Sequence, residues 1–150
     1  MKLSELMNTE LVEMELTAGS VEDILRQLVT RLSSAGFISN SGDALKRLVE
    51  REQVMSTGIG DGIAIPHART PEVRSTVVAV GRSSQGVDFG ALDDKPVEVM
   101  FLILGPPDSS AEHVKVLARI ARLVKQTAFH DAVVQAASPE QVMEAVRLHE

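Results

Sequence analysis

The chain has 150 residues, 44% of them hydrophobic and 24% charged, enough for one domain with a real core and a globular composition. Its net charge of −6, with no basic run, excludes a general nucleic-acid binder, and the absence of cysteine excludes disulfides, thiolate metal sites and cysteine nucleophiles. The longest apolar run, Val99 to Leu104, is six residues, far below the ~20 of a membrane helix.

The opening Met1-Lys2-Leu3-Ser4-Glu5-Leu6 lacks the apolar core of a secretion signal, so a cytoplasmic address without membrane insertion is expected. Leu3 to Met7 suggests a turn of helix. In Leu11 to Leu16 the alternation puts Val12, Met14 and Leu16 on one face of a strand. Ser20 and Asp23 form an approximate capping box. From there Val21, Ile24, Leu25, Leu28, Val29 and Leu32 fall at helical spacing until Gly36 stops the run. A second helix spans about 41–53, with Ala44, Leu45, Leu48 and Val49 inward and Arg51 in its last turn, where a cation suits the helix dipole.

After a glycine-rich stretch, Val73 to Gly81 is β-branched and reads as a buried strand, and 85–95 as a polar connection. Val97 to Leu104 reads as a central strand covered on both faces. Ser109 to Glu112 is a capping box for a helix reaching about Gln126. Two more helices follow, at 127–137 and from Ser138-Pro139 to Leu148. Strands interleaved with helices predict an α/β fold, and the short connection before Val97 predicts a mixed sheet sandwiched by helices in a single domain, 1–150.

The chemistry concentrates in Thr57-Gly-Ile-Gly-Asp-Gly-Ile-Ala-Ile-Pro-His-Ala-Arg69. Glycines permit close backbone approach, and Pro66 pushes Ile65 into an extended conformation, presenting His67. A glycine-rich connection with an incidental surface histidine is the open alternative. His130 and His149 read as solvated. His113 heads the apolar face His113, Leu117, Ile120, Val124 and lies in the first turn of its helix, where free N–H groups favour an anion; a core-edge histidine is the alternative. The glycines lack the ending of a nucleotide-binding loop, no histidine pair has metal spacing, and no serine sits in a nucleophile elbow. What remains open is a histidine able to carry a group itself, imidazole being nucleophilic when neutral.

Glu52, Ile59, Gly60, Ile63, Ala64, Ile65, Pro66, His67 and Ala68 stand at the spacings of a long signature. On these residues the chain resembles enzyme IIA of the phosphotransferase system, fructose/mannitol/nitrogen type, from the Ser20 helix to the Val142 helix. It is most similar to the free-standing nitrogen-related branch: it reads Glu50-Arg51-Glu52 and Ser56-Thr57-Gly58-Ile59-Gly60, and a single short domain with no attached transporter or carrier is expected. Ala68 stands where that branch carries Gly, a change the general signature allows.

The resemblance implies that His67 accepts a phosphoryl group from the phosphohistidine of an HPr-type carrier. It also places the family's assisting arginine on Arg51 and its second site histidine on His113, with no metal or other cofactor. Phosphoryl transfer depends on positioning and on stabilising the equatorial oxygens. Arg51 can offer them a bidentate fork, His113 and the helix start further donors, and the glycines room for the carrier. The resemblance leaves two functions: a regulator that binds target proteins according to its phosphorylation state, and a relay to an enzyme IIB domain of a fructose- or mannitol-type sugar transporter. A pure interaction domain is disfavoured by the presence of all three residues.

Overall fold

The computed structural model describes residues 2–17, 19–39 and 41–150. A mixed six-stranded sheet lies between two layers of helices. Two short 3-10 turns, Leu3–Leu6 and Thr9–Leu11, precede β1 (Val12–Glu13), α1 (Val21–Ser34) and α2 (Ser41–Val54). Three short strands follow, β2 (Gly58–Gly60), β3 (Ile63–Ala64) and β4 (His67–Arg69), then the long pair β5 (Val77–Val87) and β6 (Val97–Gly105). The chain ends in α3 (Ser110–Val124), α4 (Thr127–Gln135) and α5 (Pro139–His149).

β6 is the axis of the sheet. It pairs antiparallel with β5 on one side and parallel with both β3 and β4 on the other; β1 lies parallel to β5, and β2 antiparallel to β3. Its uninterrupted apolar sequence follows from burial on both faces. Met100, Leu102 and Leu104 meet α1 and α2 through Leu25, Leu28 and Leu48, whereas Val99, Phe101 and Ile103 meet the α3–α5 layer through Val116, Ile120, Phe129 and Val146. Helix α1 begins as expected, with the Ser20 hydroxyl accepting from the Asp23 N–H at 3.1 Å; Ser138 caps α5 in the same way.

Three elements differ from the sequence expectation. The strand expected over Leu11–Leu16 pairs only at Val12 and Glu13, because Arg82 Nε takes the Met14 carbonyl at 3.1 Å and the chain bends. Leu16 returns to the ladder of β5, its N–H on the Arg82 carbonyl at 2.7 Å, but packs on the α1 side, opposite Val12. Strand β5 starts at Val77 and runs on to Val87, shortening the polar connection. Arg82 is tolerated there because its Nη1 is consumed by the carbonyls of Val133, Val134 and Ala136, which terminate α4. Ser109 does not cap α3 with its side chain; its carbonyl instead accepts the His113 N–H at 2.9 Å.

The glycine stretch is a built hairpin rather than a loose connection. Gly60 pairs with Ile63, leaving Asp61-Gly62 as a two-residue turn with φ of 57° and 77°, both in the left-handed region. A Cβ on Gly58 would stand 2.8 Å from that of Ala91, so only glycine lets this strand lie against the 88–96 connection. The glycines thus shape the backbone that carries His67.

Candidate functional site

Three elements converge on His67. β3 and β4 pair with the same edge of β6, and Pro66, which has no N–H to give, sits between them with its carbonyl accepting from Ile103 N at 2.9 Å. His67 and Arg69 therefore stand on the face of β4 toward α3, while Ala68 turns inward to the α1–α2 layer. The C-terminal end of α2 is tied alongside by Glu52, whose carboxylate accepts the Thr57 N–H at 2.7 Å and the Thr57 hydroxyl at 2.6 Å. These bonds account for the glutamate in the signature: it fixes where the hairpin leaves the helix.

The resulting cleft has a volume of about 550 Å³ and is lined by Arg47, Glu50, Arg51, His67, Arg69, Ser110 and His113, with Val54 and Val114 at its mouth. The structure brings all three sequence-predicted residues, His67, Arg51 and His113, into it. A larger groove of about 820 Å³ runs along α1. Both of its arginines are paired with carboxylates, Arg31 with Glu13 and Arg26 with Asp23, each at 3.2 Å, so it offers no comparable cationic chemistry.

The half-buried His67 ring places Nδ1 2.8 Å from the Ile65 carbonyl. A carbonyl only accepts, so Nδ1 carries the proton and Nε2 keeps its lone pair. Burial lowers the His67 pKa and the Arg51 charge lowers it further, opposed by the Ile65 carbonyl and by Glu52. The neutral, nucleophilic form is therefore favoured at pH 7. His113 is 7% exposed, and burial, followed by the charges of His67 and Arg69, lowers its pKa to about 4. The two rings lie 5.5 Å apart between centroids, tilted by 54°. Arg51 reaches back to the Met55 carbonyl at 2.9 Å. That bond satisfies the helix-end role read from sequence while keeping the guanidinium at the cleft.

Two cations were not singled out by the sequence reading. Arg69 shares a strand face with His67 and is held by the Ser110 hydroxyl and, at 3.4 Å, by the Pro107 carbonyl; the two-residue strand period was the signal. Arg47 lies one helical turn before Arg51 and bonds Asp43 at 2.7 Å. The cleft thus gathers three arginines against one carboxylate, Glu50, a balance suited to an anion. Among the described residues no cluster of histidine and carboxylate side chains has the arrangement to hold a metal, and no helix is long and apolar enough to cross a membrane.

The remaining histidines are removed from the cleft but are not simply solvated. His149 bonds the Ala145 carbonyl at 2.9 Å and packs edge-on against Phe129 at 5.8 Å, and His130 is three-quarters buried beside Asp131.

Comparison with known proteins shows the family. A family model described as "Phosphoenolpyruvate-dependent sugar phosphotransferase system, EIIA 2" matches residues 5–148. The fructose-specific EIIA component of Haloferax volcanii is 33% identical over 144 residues, 96% of this chain and 94% of that protein. The fructose-specific EIIABC component of Bacillus subtilis is 30% identical over 150 residues, 100% of this chain but 24% of that protein, so the chain spans about a quarter of that relative's length. Among solved structures, nitrogen regulatory protein IIA-Ntr from Neisseria meningitidis superposes with a TM-score of 0.87 at 28% identity, covering 95% of this chain and 97% of the other. The chain belongs to the EIIA 2 family of the phosphoenolpyruvate-dependent sugar phosphotransferase system.

Proposed function

We propose that the chain, acting as one EIIA domain over 1–150, accepts a phosphoryl group on Nε2 of His67 from an HPr-type phosphocarrier and signals to target proteins by its phosphorylation state. The observation that carries this reading is the hydrogen bond between His67 Nδ1 and the Ile65 carbonyl, which leaves Nε2 as the unprotonated nitrogen of a ring lining the arginine-rich cleft. In the transfer, the Nε2 lone pair forms a new N–P bond as the carrier's N–P bond breaks and its electron pair returns to the carrier's imidazole. The proton stays on Nδ1, donated to the Ile65 carbonyl. Arg51 offers aligned donors to the equatorial oxygens, His113 a neutral donor, and the low pKa of His67 keeps the nucleophile free. Val54 and Val114, 81% and 65% exposed at the cleft mouth, supply an apolar rim for a docking carrier. Likeness to IIA-Ntr supports the regulatory branch.

A second reading is supported by the fructose-specific relative that the chain covers almost entirely: a relay passing the group to an enzyme IIB domain and on to a sugar. Both readings are tested by incubating wild type and His67→Ala with labelled phosphoenolpyruvate, its kinase and the carrier. Label should enter wild type alone, as an acid-labile, base-stable adduct, and unchanged labelling of His67→Ala would refute the assignment. Passage of that label to sugar in the presence of membranes from the source separates relay from regulator.

A further inference from the structure

Two buried polar atoms with no hydrogen-bond partner among the described residues meet beside this cleft. One is His113 Nδ1 and the other the hydroxyl of Thr76, a residue only 4% exposed. Both face the Cα of Gly105: a Cβ built there would lie 3.2 Å from Thr76 Oγ1 and 3.3 Å from His113 Nδ1. The convergence follows from the sheet. Val77 pairs with Leu104 across the β5–β6 ladder, so the next position outward sets Thr76 against Gly105. Gly105 follows Phe101 and Ile103 on the α3 side of β6, beneath the first turn of α3. The buried hydroxyls of Thr57 and Thr70, by contrast, are matched, by Glu52 and Asp43. Two orphans aimed at one gap, which only glycine leaves open, are each other's available partner.

We propose that Thr76 is a positioning residue of the phosphoryl site: across Gly105 its hydroxyl donates to His113 Nδ1, directly or through one water, and holds the His113 proton on Nε2. A hydroxyl can donate or accept, so direction is decided at the other end of the ring. Nδ1 is buried against Gly105, which leaves Nε2 as the nitrogen able to serve the cleft that His113 lines. Neutral His113 has one ring proton. Placed on Nε2 it donates to a phosphoryl oxygen, whereas on Nδ1 it would leave a lone pair facing that oxygen. Thr76 thereby sets whether His113 attracts or repels the transferred group. This assignment rests on the reading of His113 as a donor to the phosphoryl group on His67.

The test uses the intact chain in wild-type, Thr76→Val, Thr76→Ser, Gly105→Ala and His113→Ala forms. Long-range ¹H–¹⁵N correlations of the histidine rings at pH 7 report which nitrogen of His113 is protonated. Transfer from the phosphorylated carrier, normalised to folded protein, reports function. Wild type and Thr76→Ser should hold the proton on Nε2; Thr76→Val, which keeps the shape and loses the hydroxyl, should release it to Nδ1 or to exchange. Transfer should fall about five- to tenfold in Thr76→Val, the worth of one hydrogen bond, and recover in Thr76→Ser. Gly105→Ala, which puts a methyl into the gap, should reproduce the valine result and carries the test alone should Thr76→Val not fold. A wild-type proton on Nδ1, or an unchanged tautomer in both Thr76→Val and Gly105→Ala, overturns the assignment while leaving His113 in the site. Wild-type transfer by His113→Ala overturns the underlying reading instead, and the positioning role with it; the tautomer signal does not depend on transfer, so the two failures are distinct.

Discussion

Acidification should weaken the fold through His113 by an amount that its burial sets. In the folded protein its pKa is lowered from 6.5 to about 4, by burial first and then by the charges of His67 and Arg69. Between those values the unfolded chain binds a proton that the folded chain refuses. Stability therefore rises with pH across the window: the contribution is fully present above 6.5 and is lost as pH falls toward the folded value. At about 1.36 kcal/mol per unit, His113 alone should remove about 2 kcal/mol between pH 7 and pH 5. The assay is urea unfolding of wild type and His113→Gln at pH 7, 6 and 5. Carboxylates and the other histidines titrate alike in both proteins, so the difference between the two stability curves isolates His113. The curves should converge as pH falls, since only wild type pays this cost on protonation. Parallel curves would refute the reasoning and return His113 to an ordinary, solvated titration.

Arg51→Lys should keep the charge and the fold but lose the planar fork, slowing transfer by about 1.5–3 kcal/mol, roughly ten- to a hundredfold or more; equal single-turnover rates would leave Arg51 with only its bond to the Met55 carbonyl. Arg82→Met should cost stability rather than transfer, about 2–3 kcal/mol, because the carbonyls of Met14, Val133, Val134 and Ala136 lose a charged donor. Chemical denaturation beside the transfer assay separates the two effects.

Helix boundaries were legible because capping and periodicity are local. Ser20, Ser138 and the apolar spacing of α1 act within a few residues of where they are read. The central place of β6 was legible for the same reason, since an unbroken run from Val99 to Leu104 has few other uses. What escaped depended on distant residues. The early end of β1 is decided by Arg82, 68 positions from Met14 along the chain. The persistence of β5 past Gly81 depends on that same arginine finding the end of α4. Glycines at 58, 60 and 62 suggested freedom of approach, yet Gly58 answers to Ala91 and the others to the turn that delivers β3 to β6. His67, Arg51 and His113 could be named from the signature and from resemblance. Arg69 needed the knowledge that 67–69 is a strand, and Thr76 the register of β5 on β6.

The cleft is electrostatically lopsided before any group arrives, and this bears on how its state could be read by another protein. Arg47, Arg51 and Arg69 line it with a single carboxylate, Glu50, and both histidines are held neutral. The arginines are not idle: Arg47 has Asp43, Arg51 the Met55 carbonyl, and Arg69 Ser110 and the Pro107 carbonyl. Only the first of these is an ion pair, so the positive potential of the other two is largely uncompensated. On the proposed reading, a phosphoryl group on His67 Nε2 delivers its negative charge into that potential. Arg51 and Arg69 would exchange a neutral acceptor for an anionic one, the stronger partner. Arg51 is held by the Met55 carbonyl just past the end of α2, and Arg69 by the start of α3. Their reorientation would change charge and side-chain position together on the two sides of the Val54–Val114 rim. A partner seated on that rim would then sense both changes without any movement of the sheet.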